Sequence, residues 1–448
     1  MAHSHARDAA NAVRTILTHL ATKFVRARKN GPRQCLLILL TIIHSGVNRI
    51  GVKPARLMVM DRFDRMIDWG PGKEPSASSI CRALKKLLPN HLEAVITIGL
   101  SEVTQGYGTG LMVHGRRLIA VDGVRINAQR TSALARWLRL PRLGGKKRAH
   151  QPQALVVVAR CVVTGVVLAE EIVPHDGSER ACARKMAARL AVLGRIIVLM
   201  DRGFPARDLI GALREYRIDF VVRMCGGKRT WRELAGLVTT KARGKSKAKD
   251  ALLPIRLRGI DNRWEWCDLR AILTPPVKRG RPRCDRTPQR MLLLTSLRGV
   301  AWNTQRIISL YHRRWDIETS FREDKRLLGA TKSHAKTKDG FIVELLALQI
   351  YRILMALLAA VVVQQLGKRA VCWHNPTRTR ISTPQLIVGA WMLILDCITR
   401  WHDAVFRIAR WAREIARDAD KCRPNRSFKR KCKGVEGVWK MKRDRCYG

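Results

Sequence analysis

Two aspartates that follow apolar runs are the first residues here with a chemistry to offer. Asp122 ends the run Leu118 to Val121, and Asp201 ends the run Ile196 to Met200. Ligands collect at the carboxyl ends of strands in an α/β sheet, so neighbouring strands would bring both acids into one site. Two adjacent carboxylates repel unless a cation compensates, and their hard oxygens suit Mg²⁺ or Mn²⁺. The plainer alternative is a pair of unrelated loop acids. Against it, the chain has 35 Asp and Glu to 86 Lys and Arg, so acids in equivalent positions carry weight.

A third acid lies in a patterned segment. Tyr311, Arg314, Glu318, Arg322 and Lys325 are spaced 3, 4, 4 and 3 residues apart. At roughly 100° per residue, all five occupy one helix face about 80° wide. Leu310, Ile317, Phe321 and Leu328 form a neighbouring apolar stripe able to anchor that helix to a sheet. The polar face suits a metal-bound phosphodiester: Glu318 holds the ion, while Arg314, Arg322 and Lys325 bind flanking phosphates. A solvated helix with pairs such as Glu318 to Arg322 is the commoner arrangement for such a pattern alone.

The spacing Tyr311, two residues, Arg314, three residues, Glu318, six residues, Lys325 reproduces the Y-(2)-R-(3)-E-(6)-K signature. It resembles the insertion-sequence-four family of bacterial DDE transposases. Met-Asp-Arg-Gly-Phe around Asp201 is similar to that family's second acidic motif, and Val-Asp-Gly around Asp122 to its first. The resemblance spans about residues 116 to 330, with a weaker likeness in the N-terminal region and in the basic tail near 423 to 433. It implies an RNase H-like core in which Asp122, Asp201 and Glu318 hold two Mg²⁺ ions, replaceable by Mn²⁺. It also implies cut-and-paste transposition: strand cleavage, a hairpin at the transposon end, reopening and transfer to target DNA. A base is flipped in the hairpin step and held by aromatic residues. Where some relatives place a stacking Trp, this chain has Met291, which packs on a base but lacks a π surface. Trp302 or Trp315 is then the expected substitute, and Trp315, beside Arg314, is favoured.

The elements needed to position these residues can be read in outline. The expected fold class is α/β: an RNase H-like core with a β-rich insertion, between an all-helical N-terminal DNA-binding region and a helical, basic C-terminal region. Strands are expected at 118 to 121, 154 to 163, 166 to 173, 196 to 200 and 219 to 223, with helices at 178 to 193 and 206 to 216. The boundaries expected are 1 to 110 for the helical N-terminal domain, 111 to 224 for the first part of the core and 225 to 297 for the insertion. The second part of the core takes 298 to 370 and the C-terminal region 371 to 448. Within the first domain, Arg82, Lys85 and Lys86 alternate with apolar residues after a turn, which fits either a helix-turn-helix reader or a solvated amphipathic helix. In the insertion, Lys278 to Arg283 resembles an AT-hook core whose Arg279 and Arg281 would enter a narrow minor groove. A solvated basic loop is the commoner reading of so short a motif.

Composition bounds the partner. The chain has 448 residues, 46% of them hydrophobic, and a formal net charge of +51. That excludes wholesale disorder and points to a polyanion, here double-stranded DNA as terminal inverted repeats and target. Phe341 to Leu366 is the strongest apolar run, but Glu344, Gln349 and Arg352 interrupt it, so a buried helix and no membrane are expected. The N-terminus lacks the uninterrupted apolar core of a secretory signal, giving a cytoplasmic, nucleoid-associated expectation. Twelve dispersed cysteines without a CxxC pair fit reduced thiols. Cys422, Cys432, Cys446 and His402 miss the short ligand knuckle of structural zinc, and no zinc is expected. A homodimer is expected from the resemblance alone. The alternatives are a metal-dependent DNA nuclease of the same fold, a domesticated relative that does not transpose, or a non-enzymatic DNA-packaging protein.

Overall fold

The computed structural model describes residues 2–24, 76, 89–144, 147–225, 229–241, 248–276, 290–327, 333–366, 379–380, 385–390, 392, 401–417 and 420–421. Eight main strands carry the fold: β1 (Arg116–Asn127), β2 (Gln153–Cys161), β3 (Val167–Pro174), β4 (Ile196–Met200), β5 (Asp219–Arg223), β6 (Lys249–Arg258), β7 (Trp264–Leu273) and β8 (Leu292–Thr295). They lie in one mixed sheet in the order β3-β2-β1-β4-β5-β8-β7-β6, with the short strand Met112–Val113 paired to the start of β1. β1 runs parallel to β4 and β4 parallel to β5, while the other neighbours are antiparallel. β4 is apolar at every position and wholly buried, as a strand covered on both faces must be.

β1 does not stop at Asp122, as the sequence suggested. Its ladder with β2 continues from Ile119↔Cys161 to Asn127↔Gln153, whereas its parallel ladder with β4 ends at Val121↔Met200. Asp122 is therefore an internal strand residue at the point where one neighbour stops. Asp122 and Asp201 thus each follow the last pair of the parallel ladder, although only Asp201 lies beyond the end of its strand.

Helices cover both faces. α1 (Ala2–Phe24) and α2 (Pro89–Tyr107) come first, then α3 (Ser132–Leu138), α4 (Glu179–Ala191), α5 (Arg207–Glu215), α6 (Arg229–Lys241), α7 (Thr304–His312), α8 (Trp315–Leu327), α9 (Lys338–Leu366) and α10 (Trp401–Arg417). Ile119 and Val121 of β1 face α4 and α5, while Leu118 and Ala120 face α3, α7 and α8, as strand alternation requires. α9 packs with α1, α2 and α10 in a separate apolar cluster. Its most apolar 18-residue window is 83% buried inside the protein. The segment expected as a β-rich insertion begins with α6, and its strands β6, β7 and β8 are hydrogen-bonded into the same sheet beyond β5.

The signature segment is not one continuous helix. α7 ends at His312 and α8 begins at Trp315, with Arg313 and Arg314 in a turn between them. Tight bonds one residue shorter than the α pattern bridge it, Arg314 N–H donating to Tyr311 O and Ile317 N–H to Arg314 O. The apolar stripe survives the break: Leu310, Ile317 and Phe321 are all buried against the sheet.

Candidate active site

Asp122 on β1 and Asp201 just beyond β4 stand on adjacent parallel strands, and the α7–α8 turn lies over them. Three contacts tie these parts together. The Tyr311 hydroxyl donates to Asp201 Oδ1 at 3.3 Å, Arg314 Nη2 donates to Glu318 Oε1 at 2.7 Å, and Arg314 Nη1 lies 3.9 Å from Asp122 Oδ2. The backbone N–H of Gly123 donates to Asp122 Oδ1 at 2.8 Å, fixing that carboxylate from its own strand. Arg314 is 3% exposed, so a single guanidinium sits buried among the acids of β1 and α8. Arg223, at the end of β5, approaches Asp201 Oδ1 at 4.0 Å.

The electrostatics follow from burial and from the imbalance of partners. Burial is the main force pushing the Asp122 carboxyl up to about 6; Glu179 and Asp201 add to it, and the Gly123 bond and Arg314 oppose it. Burial first, then the Asp201 charge, raises the Tyr311 hydroxyl to about 12, so it stays a donor at neutral pH. Burial works against the Arg314 charge, but the Glu318 bond and the surrounding anions outweigh it and hold this group above its ordinary value. Arg314 Nε and Nη1 have no hydrogen-bond partner among the described residues.

The structure brings Asp122, Asp201, Glu318, Tyr311 and Arg314 together. Arg322 and Lys325 lie on α8, with side chains outside the described residues. Trp315 is 48% exposed with its ring 5.3 Å from the Arg314 guanidinium carbon. Met291 and Trp302 are elsewhere: both are buried in the core, Trp302 beneath Arg116 and against the edge of the His114 ring. Neither presents a face to a ligand. Arg82, Lys85, Lys86, Arg279 and Arg281 lie outside the described residues, as do Cys422, Cys432 and Cys446.

Among the described residues no group of three acids, histidines or cysteines already surrounds a common ion position. The acids surround Arg314 instead. Their chemistry still fits a divalent cation: the donors are hard carboxylate oxygens, and at Asp122 burial outweighs the help of Arg314. The sequence reading passed over Arg223 and Glu179. The second of these had a signal, for a glycine follows Asp122 directly and another lies two residues after Asp201, and both abut Glu179.

Comparison with known proteins is informative for residues 113–354, which match the family model described as "Transposase DDE domain". Seven solved chains are similar. One is the cryo-electron-microscopy structure of the piggyBac transposase synaptic complex with hairpin DNA, at 11% identity and a TM-score of 0.45, covering 90% of this chain and 82% of that one. No curated protein matches.

Proposed function

The chain belongs to the transposase DDE domain family, and on that premise we propose that it is a cut-and-paste transposase of the insertion-sequence-four type, with Asp122, Asp201 and Glu318 as its catalytic acids. The observation that carries this reading is the gathering of three remote carboxylates, on β1, just past β4 and on α8, around the buried pair Tyr311 and Arg314: Arg314 meets Asp122 and Glu318, and Tyr311 meets Asp201. An RNase H-like core is supported by the sheet order β3-β2-β1-β4-β5, with the β1–β4 and β4–β5 pairs parallel. In this reading β6, β7 and β8 extend that core rather than interrupt it.

Bound between the three acids, two divalent ions would supply activation of the attacking water or 3′-hydroxyl and stabilise the leaving oxygen. The chain's own groups have separate tasks. Tyr311 holds the Asp201 carboxylate by one oxygen, and the Gly123 N–H holds that of Asp122, so both are oriented before DNA arrives. Arg314 Nη1 and Nε are buried without hydrogen-bond partners, Nη1 beside Asp122, and donors left over in this way fit the non-bridging oxygens of a phosphodiester. Trp315 offers the exposed ring on which a flipped base would stack.

The test uses labelled ends of the DNA element that encodes the chain, incubated with full-length protein and Mg²⁺. Asp122→Asn, Asp201→Asn and Glu318→Gln are each expected to lower cleavage by about 10³-fold or more while DNA is still bound. Cleavage left intact in all three would overturn the assignment. Pre-nicked ends offered with a target plasmid should yield strand-transfer products. A nuclease of the same fold would cut but join nothing.

A further inference from the structure

The face of β1, β2 and β3 turned toward α8 and α9 encloses a cavity of about 40 Å³. Its walls are mostly apolar, with Val156, Val158 and Phe321 among them, and Arg160, Glu170, Asp324, Gln349 and Arg352 supply the polar lining. Asp122, Asp201 and Glu318 are not part of that lining. Arg160 is 6% exposed, and its three nitrogens are unequally served. Nη2 donates to Asp324 Oδ2, and the guanidinium carbon lies 5.2 Å from the centre of the Phe321 ring. Nε and Nη1 are enclosed without a hydrogen-bond partner among the described residues, and so is Gln349 Nε2. Gln349 stands close enough to Glu170 to favour its charged form, but not to use up that donor.

A buried donor without an acceptor is costly, and three on side chains that line one small space mark a place built for an acceptor. The void has room for about three waters, at roughly 10–15 Å³ each, so a single-atom anion also fits. Charge favours the anion. Two guanidiniums, Arg160 and Arg352, share one carboxylate, Asp324. Glu170 does not restore the balance, because burial pushes its carboxyl up to about 7 and leaves it only partly ionised at neutral pH. Burial is also the main force holding the Arg160 guanidinium below its ordinary value; Arg352 adds to it, and Asp324 and Glu170 do not offset it. A water would have to place two hydrogens of its own beside these donors, whereas an anion brings acceptors only.

We propose that this cavity binds a small monovalent anion of the halide class, held by Arg160 and Gln349, and that the ion helps fasten α8 to β2 and α9. Bromide is the probe, because it can be both located and titrated. Crystals of the full chain soaked in sodium bromide should show an anomalous peak in the cavity beside Arg160. In solution, urea unfolding is followed while sodium bromide replaces sodium gluconate at fixed ionic strength, which holds the screening of surface charges constant. A ligand that binds the folded chain alone raises the midpoint as its concentration grows. The wild type should show that rise, and Gln349→Leu should need about tenfold more bromide for it, the value of one lost bond to a charged group. Val156→Leu, which fills the void, should abolish it. A cavity that shows density without an anomalous signal holds water and overturns the proposal. So does a wild type without the rise, or a bromide response equal in the wild type and both variants, which would belong to the basic surface. An equal response joined to a peak in the cavity means an adventitious ion only and counts the same way. Should Gln349→Leu fail to fold, Val156→Leu against the wild type supplies the same comparison.

Discussion

Arg314 and Trp315 are consecutive residues with opposite fates, and the turn between α7 and α8 is what separates them. The turn drives Arg314 into the protein at 3% exposure and leaves Trp315 at 48%. The guanidinium lies 5.3 Å from the indole ring, which steadies the aromatic without covering its outer face. With Met291 and Trp302 committed to the core, Trp315 is the one of the three that is exposed, and the proposed stacking role falls to it. Stacking is worth about 1–3 kcal/mol per base, and each 1.4 kcal/mol is tenfold in a rate or equilibrium. Trp315→Ala is therefore expected to slow second-strand cleavage about tenfold or more, while first-strand nicking, which needs no flipped base, stays within about threefold. Gel assays that resolve nicked, hairpin and fully cut ends give both rates from one time course; equal slowing would sink the stacking role.

At the scale of elements, α8 must be held firmly enough to keep Glu318 in place, and a buried ionic clamp does this. Asp324 of α8 is 4% exposed and pairs with Arg160 of β2 and with Arg352 of α9, whose Nε donates at 2.7 Å. Burial opposes the Asp324 charge, but the two guanidiniums win and hold its carboxyl below the ordinary range. Removing one member of such a group strands buried charge of the other sign, at a cost of about 3–5 kcal/mol. Asp324→Asn should thus lower the free energy of unfolding in urea by about that much. Because the folded carboxyl titrates below its unfolded value, the deficit should be full near pH 7 and shrink as pH falls through the acid range. A loss under about 1 kcal/mol would show that the clamp is dispensable. Arg352 showed in the sequence only as a break in the apolar run 341–366, and Asp324 and Arg160 did not stand out, since a lone Asp beside Lys325 looks like surface. The elements were more legible. β4 coincides with the apolar run 196–200, because a strand buried on both faces leaves no polar interruption, and β5 coincides with the expected strand 219–223, whose buried centre 220–222 is apolar. The extension of β1 past Asp122 was hidden, for Gly123, Arg125 and Asn127 resemble a loop and are held only by the ladder to β2. The α7–α8 break was hidden too, since a turn of tighter pitch keeps the apolar stripe in phase. Of the candidate site, Asp122 and Asp201 were singled out by their place after apolar runs and Tyr311 and Glu318 by spacing; that Arg314 would be buried beside them depended on the break.

At the scale of the whole molecule, the excess of cations has to be reconciled with a site that gathers acids. A net charge of +51 repels itself and attracts any polyanion without regard to sequence. Duplex binding should accordingly release many counterions, and a protein neutralising about 6–10 phosphates loses about 10³–10⁵ in affinity between 50 and 200 mM salt. We expect a fall of at least that size here, measured by fluorescence anisotropy on an arbitrary labelled duplex. The cleavage step should behave differently. In the mechanism proposed above, Asp122, Asp201 and Glu318 would act at contact distance from partly buried positions, where screening is weak. With DNA held at saturation across the same salt range, the single-turnover cleavage rate should change by less than about threefold. Salt would then act on capture by the basic surface and leave the acidic centre alone. A cleavage rate that falls in step with affinity, even at saturating DNA, would mean that the surface cations also align the strand over the acids, and the division of labour between surface and acidic centre would fail.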